Sequence, residues 1–110
     1  MQADHPEYWS LLTALEQRVF LAVEDVPKGK VATYKSIALQ VGTHPRIIGR
    51  ILHHNPDPSR FPCHRVLKSD GSIASGFAFG GPGKQRHLLE VEGVLFDSTG
   101  KTNLREFGYF

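Results

Sequence analysis

The only cysteine of this 110-residue chain, Cys63, stands in Pro62-Cys63-His64-Arg65-Val66, directly beside a histidine and an arginine. A free thiol ionises near about pH 8.5, so a cysteine meant for chemistry at neutral pH needs a base or a cation within reach. The sequence supplies both. A lone cysteine can also be a small buried hydrophobe, but these neighbours point to nucleophilic chemistry. Metal binding is not expected, because His53 and His54 are adjacent and the remaining histidines are scattered, without the paired ligand spacing of zinc sites. The glycine-rich stretch 76–83 lacks the Gly-Lys-Ser/Thr ending of a phosphate loop, which excludes a nucleotide-triphosphatase reading.

The chain that must position this thiol has the length of one domain, 1–110, and a hydrophobic fraction of 40%, ordinary for a globular protein. One cysteine rules out an internal disulfide and points to a reducing compartment. Neither a leader-like apolar run nor a membrane-spanning stretch is present, so a soluble intracellular protein without a membrane partner is expected, and a monomer. The net charge of +2 hides an asymmetry. From Lys28 to Arg86 there are ten basic residues against two acids, a local charge of +8, and the flanks carry the compensating −6. Such a middle segment can present one face to a polyanion.

Apolar residues at helical spacing from Glu7 to Asp25 (Leu11, Leu12, Leu15, Val19, Phe20, Val23) predict an amphipathic helix ended by Val26-Pro27. Thr33 can cap a brief second helix, Ser36 to Val41, which Gly42 stops. Thr43 can cap a third that opens with His44-Pro45 and runs through Arg46 and Leu52 towards His54. This is helix-turn-helix spacing. In the third helix Ile47, Ile48, Ile51 and Leu52 share one face, while Arg46 and Arg50, four residues apart, project from another. Asn55-Pro56-Asp57-Pro58 then begins the loop that delivers Cys63. Val66-Leu67, a turn at Lys68 to Gly71, and Ser72-Ile73-Ala74 predict a short β-hairpin. A last helix is expected from Lys84 to Glu92, closed by Gly93, followed by an apolar tail packed on the domain. His53 and His54 read as solvated or capping residues. The fold expected is mainly α with a small β-hairpin, a winged-helix-like helix-turn-helix DNA-binding domain.

A helix-turn-helix with paired arginines, followed by Asn55-Pro56 and Pro62-Cys63-His64-Arg65-Val66, resembles the active-site domain of the O6-alkylguanine-DNA alkyltransferases. The resemblance covers Pro27 to Gly93, with the opening Val26 to Tyr34, Arg46 to Gly49, the Gly76-to-Gly81 loop and Leu88 to Gly93. It implies a DNA repair protein that binds duplex DNA containing O6-alkylguanine, flips the damaged base and takes its alkyl group irreversibly on Cys63, without a cofactor. By the same resemblance His64 is the base, acting through a water, and Glu92 orients it. Arg46 is the finger that fills the gap in the stack. Tyr34 presses on the adjacent phosphate, Arg50 contacts DNA, and Asn55 secures the turn beneath the cysteine. Pro62 and the main chain at Cys63 and Val66 border the lesion pocket, and Phe77, Phe79 and Gly80 form its wall.

Plainer readings stand beside these. Arg46 and Arg50 can be simple phosphate contacts, Tyr34 a packed aromatic, and Glu92 a surface acid. The length matches the alkyltransferase-like proteins, which usually carry tryptophan at the place of Cys63, bind alkylated guanine without transfer and flag it for nucleotide excision repair proteins. A plain helix-turn-helix regulator is a third reading, one that leaves Cys63-His64 without a use. Ile47, Arg50 and Ile51 replace the small residues usual on the family's reading helix, Gly76-Phe77 replaces its Gly-Tyr, and the segment to Leu88 is one residue longer than usual.

Overall fold

Thr13 divides the N-terminal apolar run. In the computed structural model, which describes residues 6–74 and 77–110, its hydroxyl accepts from the Glu16 amide while the Glu16 carboxylate accepts from the Thr13 amide. This reciprocal cap starts a new helix, so two helices replace the single one expected: α1 (Glu7–Leu11) and α2 (Ala14–Glu24). Thr33 and Ser36 repeat the device at α3 (Tyr34–Val41), and Gly42, at φ 81°, ends it in the left-handed conformation that glycine adopts without penalty. The next cap differs from expectation: His44, not Thr43, starts α4 (Pro45–His53), its Nδ1 accepting from the Arg46 amide.

Helices α2, α3 and α4 pack on one another as the expected helix-turn-helix core. Val19, Phe20 and Val23 meet Ile37, Ala38, Ile48, Ile51 and Leu52, all buried. Ile51 and the half-buried Ile47 therefore turn toward the core, and the outer face of α4 is left to the exposed Arg46 and Arg50.

The predicted hairpin is not formed. Strand β1 (Ala32–Thr33) pairs in parallel with β2 (Val66–Leu67), Ala32 opposite Val66 and Thr33 opposite Leu67. The return segment is spent elsewhere: Asp70 accepts from the Ser72 amide, Ser72 bridges Lys101, and the Ala74 amide goes to Gln85. Gly71 lies at φ 87°, and a Cβ there would come within 2.6 Å of the Thr102 carbonyl oxygen, so only glycine fits against the tail. Helix α5 (Gly81–Val91) starts three residues earlier than expected, and the tail adds α6 (Leu104–Phe107). Val31 donates to the Phe107 carbonyl and accepts from the Tyr109 amide, both at 2.8 Å, which docks the tail beside β1. Val31, Leu67, Leu89 and Val94 form a second small core there. Among the described residues no helix is long and apolar enough to cross a membrane.

Phe61 joins the loop after α4 to the first core. It is fully buried, with its ring 5.1 Å from that of Phe20 and 5.8 Å from that of Trp9, and with the Arg60 guanidinium 4.9 Å above it. Phe61→Ala is expected to lower the unfolding free energy by about 3–5 kcal/mol, read from a urea transition. A loss under about 1 kcal/mol would show that the ring does not anchor the loop.

Candidate active site

Two residues before Cys63, the chain is pinned. Asn55, buried at the exit of α4, donates from Nδ2 to the Phe61 carbonyl at 2.7 Å and accepts at Oδ1 from the Asp57 amide at 2.9 Å. Pro62 then leads into a 3-10 turn, Cys63–Arg65, which passes directly into β2. The thiol is thus held between the reading helix and a strand, and it is 6% exposed.

Cys63 opens into a pocket lined by Tyr34, Gly49, Leu52, His53, Phe77, Ala78 and Phe79, with about 260 Å³ of empty space, part of it continuous with solvent. The sequence reading placed four of these lining residues at the site: Tyr34, Cys63, Phe77 and Phe79. The Phe77 and Phe79 rings meet edge to face at 5.9 Å and pack against the core, which gives the wall a fixed apolar surface. Gly76 lies outside the described residues. Pro62, Val66 and Gly80, also expected at the pocket, are not among its lining residues. Val66 is buried in β2 with its carbonyl accepting from Gln85, and Gly80 is the N-cap of α5 at φ 122°. His53 and His54 are both exposed, as expected of solvated or capping residues; His53 also borders the pocket, and His54 is the C-cap of α4. Arg46 and Arg50 lie outside the pocket on the exposed face of α4.

His64, Arg65 and Glu92 form a partly buried cluster beside this turn. Glu92, the C-cap of α5, accepts from Arg65 Nε at 2.9 Å and Nη2 at 2.8 Å, and its Oε2 lies 3.0 Å from His64 Nε2. The remaining guanidinium nitrogen donates to the Val26 carbonyl at 2.8 Å, so all three arms of Arg65 are held. Bidentate pairing of this kind fixes both distance and plane. The sequence reading took Arg65 as a cation within reach of the thiol; the structure turns its guanidinium to Glu92 instead, a pairing that follows from the demand of a partly buried carboxylate for a cation.

The electrostatics assign protonation states. Burial pushes the Cys63 thiol above its ordinary value of 9.0, against the hydrogen bond with Asn55, which lowers it. The resting thiol is protonated. Burial lowers the His64 imidazole below 6.5 and outweighs the upward pull of Glu92. Burial also works to raise the Glu92 carboxyl, but hydrogen bonds from Arg65 and His64 prevail and hold it below 4.5. A neutral imidazole facing a carboxylate through Nε2 carries its proton there, which leaves the Nδ1 lone pair to accept another. Burial, then the nearby cysteine, raises the Tyr34 phenol above 10.0, so it remains a neutral hydroxyl at the pocket. Among the described residues no cluster of histidine, cysteine and acids could hold a metal ion.

His64 and Glu92 both bind fewer protons in the folded state than in the unfolded one, so each contributes stability above its ordinary value that is lost as pH falls through the folded one. The urea midpoint is therefore expected to fall steadily from pH 7 to below pH 4.5. Glu92→Gln should flatten the part of that dependence below pH 4.5, which the carboxyl carries, and leave the His64 part in place; an unchanged slope below pH 4.5 would mean that Glu92 does not carry it.

Residues 14–94 match the family model described as 6-O-methylguanine DNA methyltransferase, DNA binding domain. A methylated-DNA–protein-cysteine methyltransferase of Methanothermobacter thermautotrophicus is 42% identical over 85 residues, which are 77% of this chain and 47% of that protein. A protein of the same name from Saccharolobus solfataricus is 47% identical over 76 residues, 69% of this chain and 48% of its own. The chain thus spans about half the length of these curated relatives. Two solved structures are similar. Schizosaccharomyces pombe (S. pombe) Atl1, in complex with damaged DNA containing O6-carboxymethylguanine, superposes with a TM-score of 0.74 at 34% identity, over 87% of this chain and 94% of that one. The O6-methylguanine-DNA methyltransferase of the archaeon Pyrococcus kodakaraensis gives 0.65 at 36% identity, over 76% and 48%. With three quarters of its length inside the family model and the helix-turn-helix in place, the chain belongs to the family of the 6-O-methylguanine DNA methyltransferase DNA-binding domain.

Proposed function

We propose that this chain is the active-site domain of a DNA alkyltransferase, acting over 1–110 as one unit, and that it takes the alkyl group of an O6-alkylguanine in duplex DNA onto Cys63. The observation that carries this reading is the meeting of two features at one turn: the Cys63 thiol borders a pocket, and the next residue, His64, is held neutral against an ionised Glu92. That arrangement supplies a nucleophile, a base and an orienting group. As His64 takes the thiol proton, Cys63 Sγ bonds to the alkyl carbon and the bond from that carbon to O6 breaks. The electron pair leaves on guanine, which takes up one proton, and a thioether remains on the protein. Water does not cleave a thioether, so each molecule reacts once.

A guanine inside the stack cannot offer O6 to a thiol, so the nucleotide must rotate out at a cost of a few kcal/mol. Arg46, exposed on α4, is suited to fill the gap, and Arg50 on the same face to hold a phosphate. Tyr34 stands between these roles, at the start of α3 and at the pocket. Asn55 keeps the turn in place beneath the base. The work would be done inside the cell, where chromosomal DNA lies.

The likeness to Atl1 over nearly its whole length supports one further reading, a lesion-binding protein that transfers nothing and presents the lesion to excision repair proteins. One experiment separates the two. The protein is mixed with a duplex containing O6-methylguanine and its intact mass and peptide map are recorded. A methyl group in place of one hydrogen on Cys63 is expected, and Cys63→Ala should bind the duplex without gaining mass. Tight lesion binding with unchanged mass would favour the sensor, and no preference for the lesion would overturn both readings.

A further inference from the structure

Gln85 is fully buried in the middle of α5. Its Nε2 donates to the His64 carbonyl at 3.1 Å and to the Val66 carbonyl at 3.0 Å, and its Oε1 accepts from the Ala74 amide at 3.2 Å. The partners fix the amide's orientation, because two carbonyls require donors and one N–H requires an acceptor. A primary amide is the neutral group that offers both.

The three partners neighbour, in sequence, residues that line the pocket. The His64 carbonyl belongs to the turn that carries Cys63 and the Val66 carbonyl to the strand that follows it, and Ala74 precedes Phe77 of the wall by three residues in sequence. Gln85 and Glu92 are seven residues apart, two helical turns, with the fully buried Leu89 between them on the same face. One face of α5 therefore grips His64 twice, at its carbonyl through Gln85 and at its imidazole through Glu92.

We propose that Gln85 is a positioning residue for alkyl transfer: through its amide it sets the distance between the Cys63–His64 turn and the pocket wall, and with Glu92 it fixes the orientation of the imidazole. This inference rests on the transferase reading. The residue need not touch the damaged base. Its loss should be felt in the chemical step more than in DNA binding.

Gln85→Met keeps the side-chain length and removes all three hydrogen bonds, and the neutral, shorter Gln85→Asn takes its place if circular dichroism shows that the methionine variant is unfolded. Two quantities are measured: the His64 titration midpoint by NMR, and the single-turnover transfer constant at saturating O6-methylguanine duplex together with the duplex Kd. In the variant the His64 midpoint is expected to rise towards 6.5 as the ring leaves its buried seat. The transfer constant should fall about 10- to 100-fold while Kd changes less than about twofold. A variant that is merely less stable, with midpoint or transfer constant unchanged, overturns the proposal. If the wild-type protein gains no methyl group, the transferase reading fails by itself, and the His64 midpoint still decides whether Gln85 positions the turn.

Discussion

In the proposed function Cys63 must be both withdrawn from water and open to a substrate, and the surrounding structure fits that constraint. Burial strips the thiolate of solvation and so keeps the thiol protonated. A nucleophile in that state depends on a base that is itself neutral, and His64 is neutral because it too is buried. Its carboxylate partner must then be held ionised, which the Arg65 clamp on Glu92 accomplishes. The acid and the base therefore form one coupled pair, and the thiol beside them is held protonated by its own burial.

Helix α4 ties this arrangement to the rest of the molecule. Its inner face fills the core through Ile48, Ile51 and Leu52, its outer face carries Arg46 and Arg50, and Gly49, Leu52 and His53 border the pocket. Its exit is fastened by Asn55 to the carbonyl of Phe61, two residues before the thiol. In the proposed function, any tilt of α4 on a DNA duplex would be felt at Cys63. Helix α5 supplies the opposing reference through Gln85 and Glu92, and the parallel β1–β2 pair joins the start of α3 to the end of the thiol turn.

Much of this was legible in the sequence because its signals are local. The apolar and basic faces of α4 follow from spacing alone, and the Cys63-His64 pair and the Asn-Pro turn are contiguous. Glu92 was assigned through family resemblance, and the structure brings its carboxylate to His64. Other features depend on long-range partners. Val66-Leu67 pairs with Ala32-Thr33, more than thirty residues earlier, where the nearest turn signal favoured a hairpin. Gln85 bonds only to backbone, and neither its type nor its helical spacing announces that. The division between α1 and α2 was local and still obscured, because the apolar period continues across Thr13 and hides its capping box with Glu16.

The protonated, buried resting thiol is tested most directly by the pH dependence of its reaction with iodoacetamide, since Cys63 is the only cysteine. The rate constant should be low at neutral pH and rise about tenfold per pH unit, with no plateau before the ordinary thiol value of 9.0. A plateau near pH 7 would mean a thiolate already present in the free protein and would contradict the account.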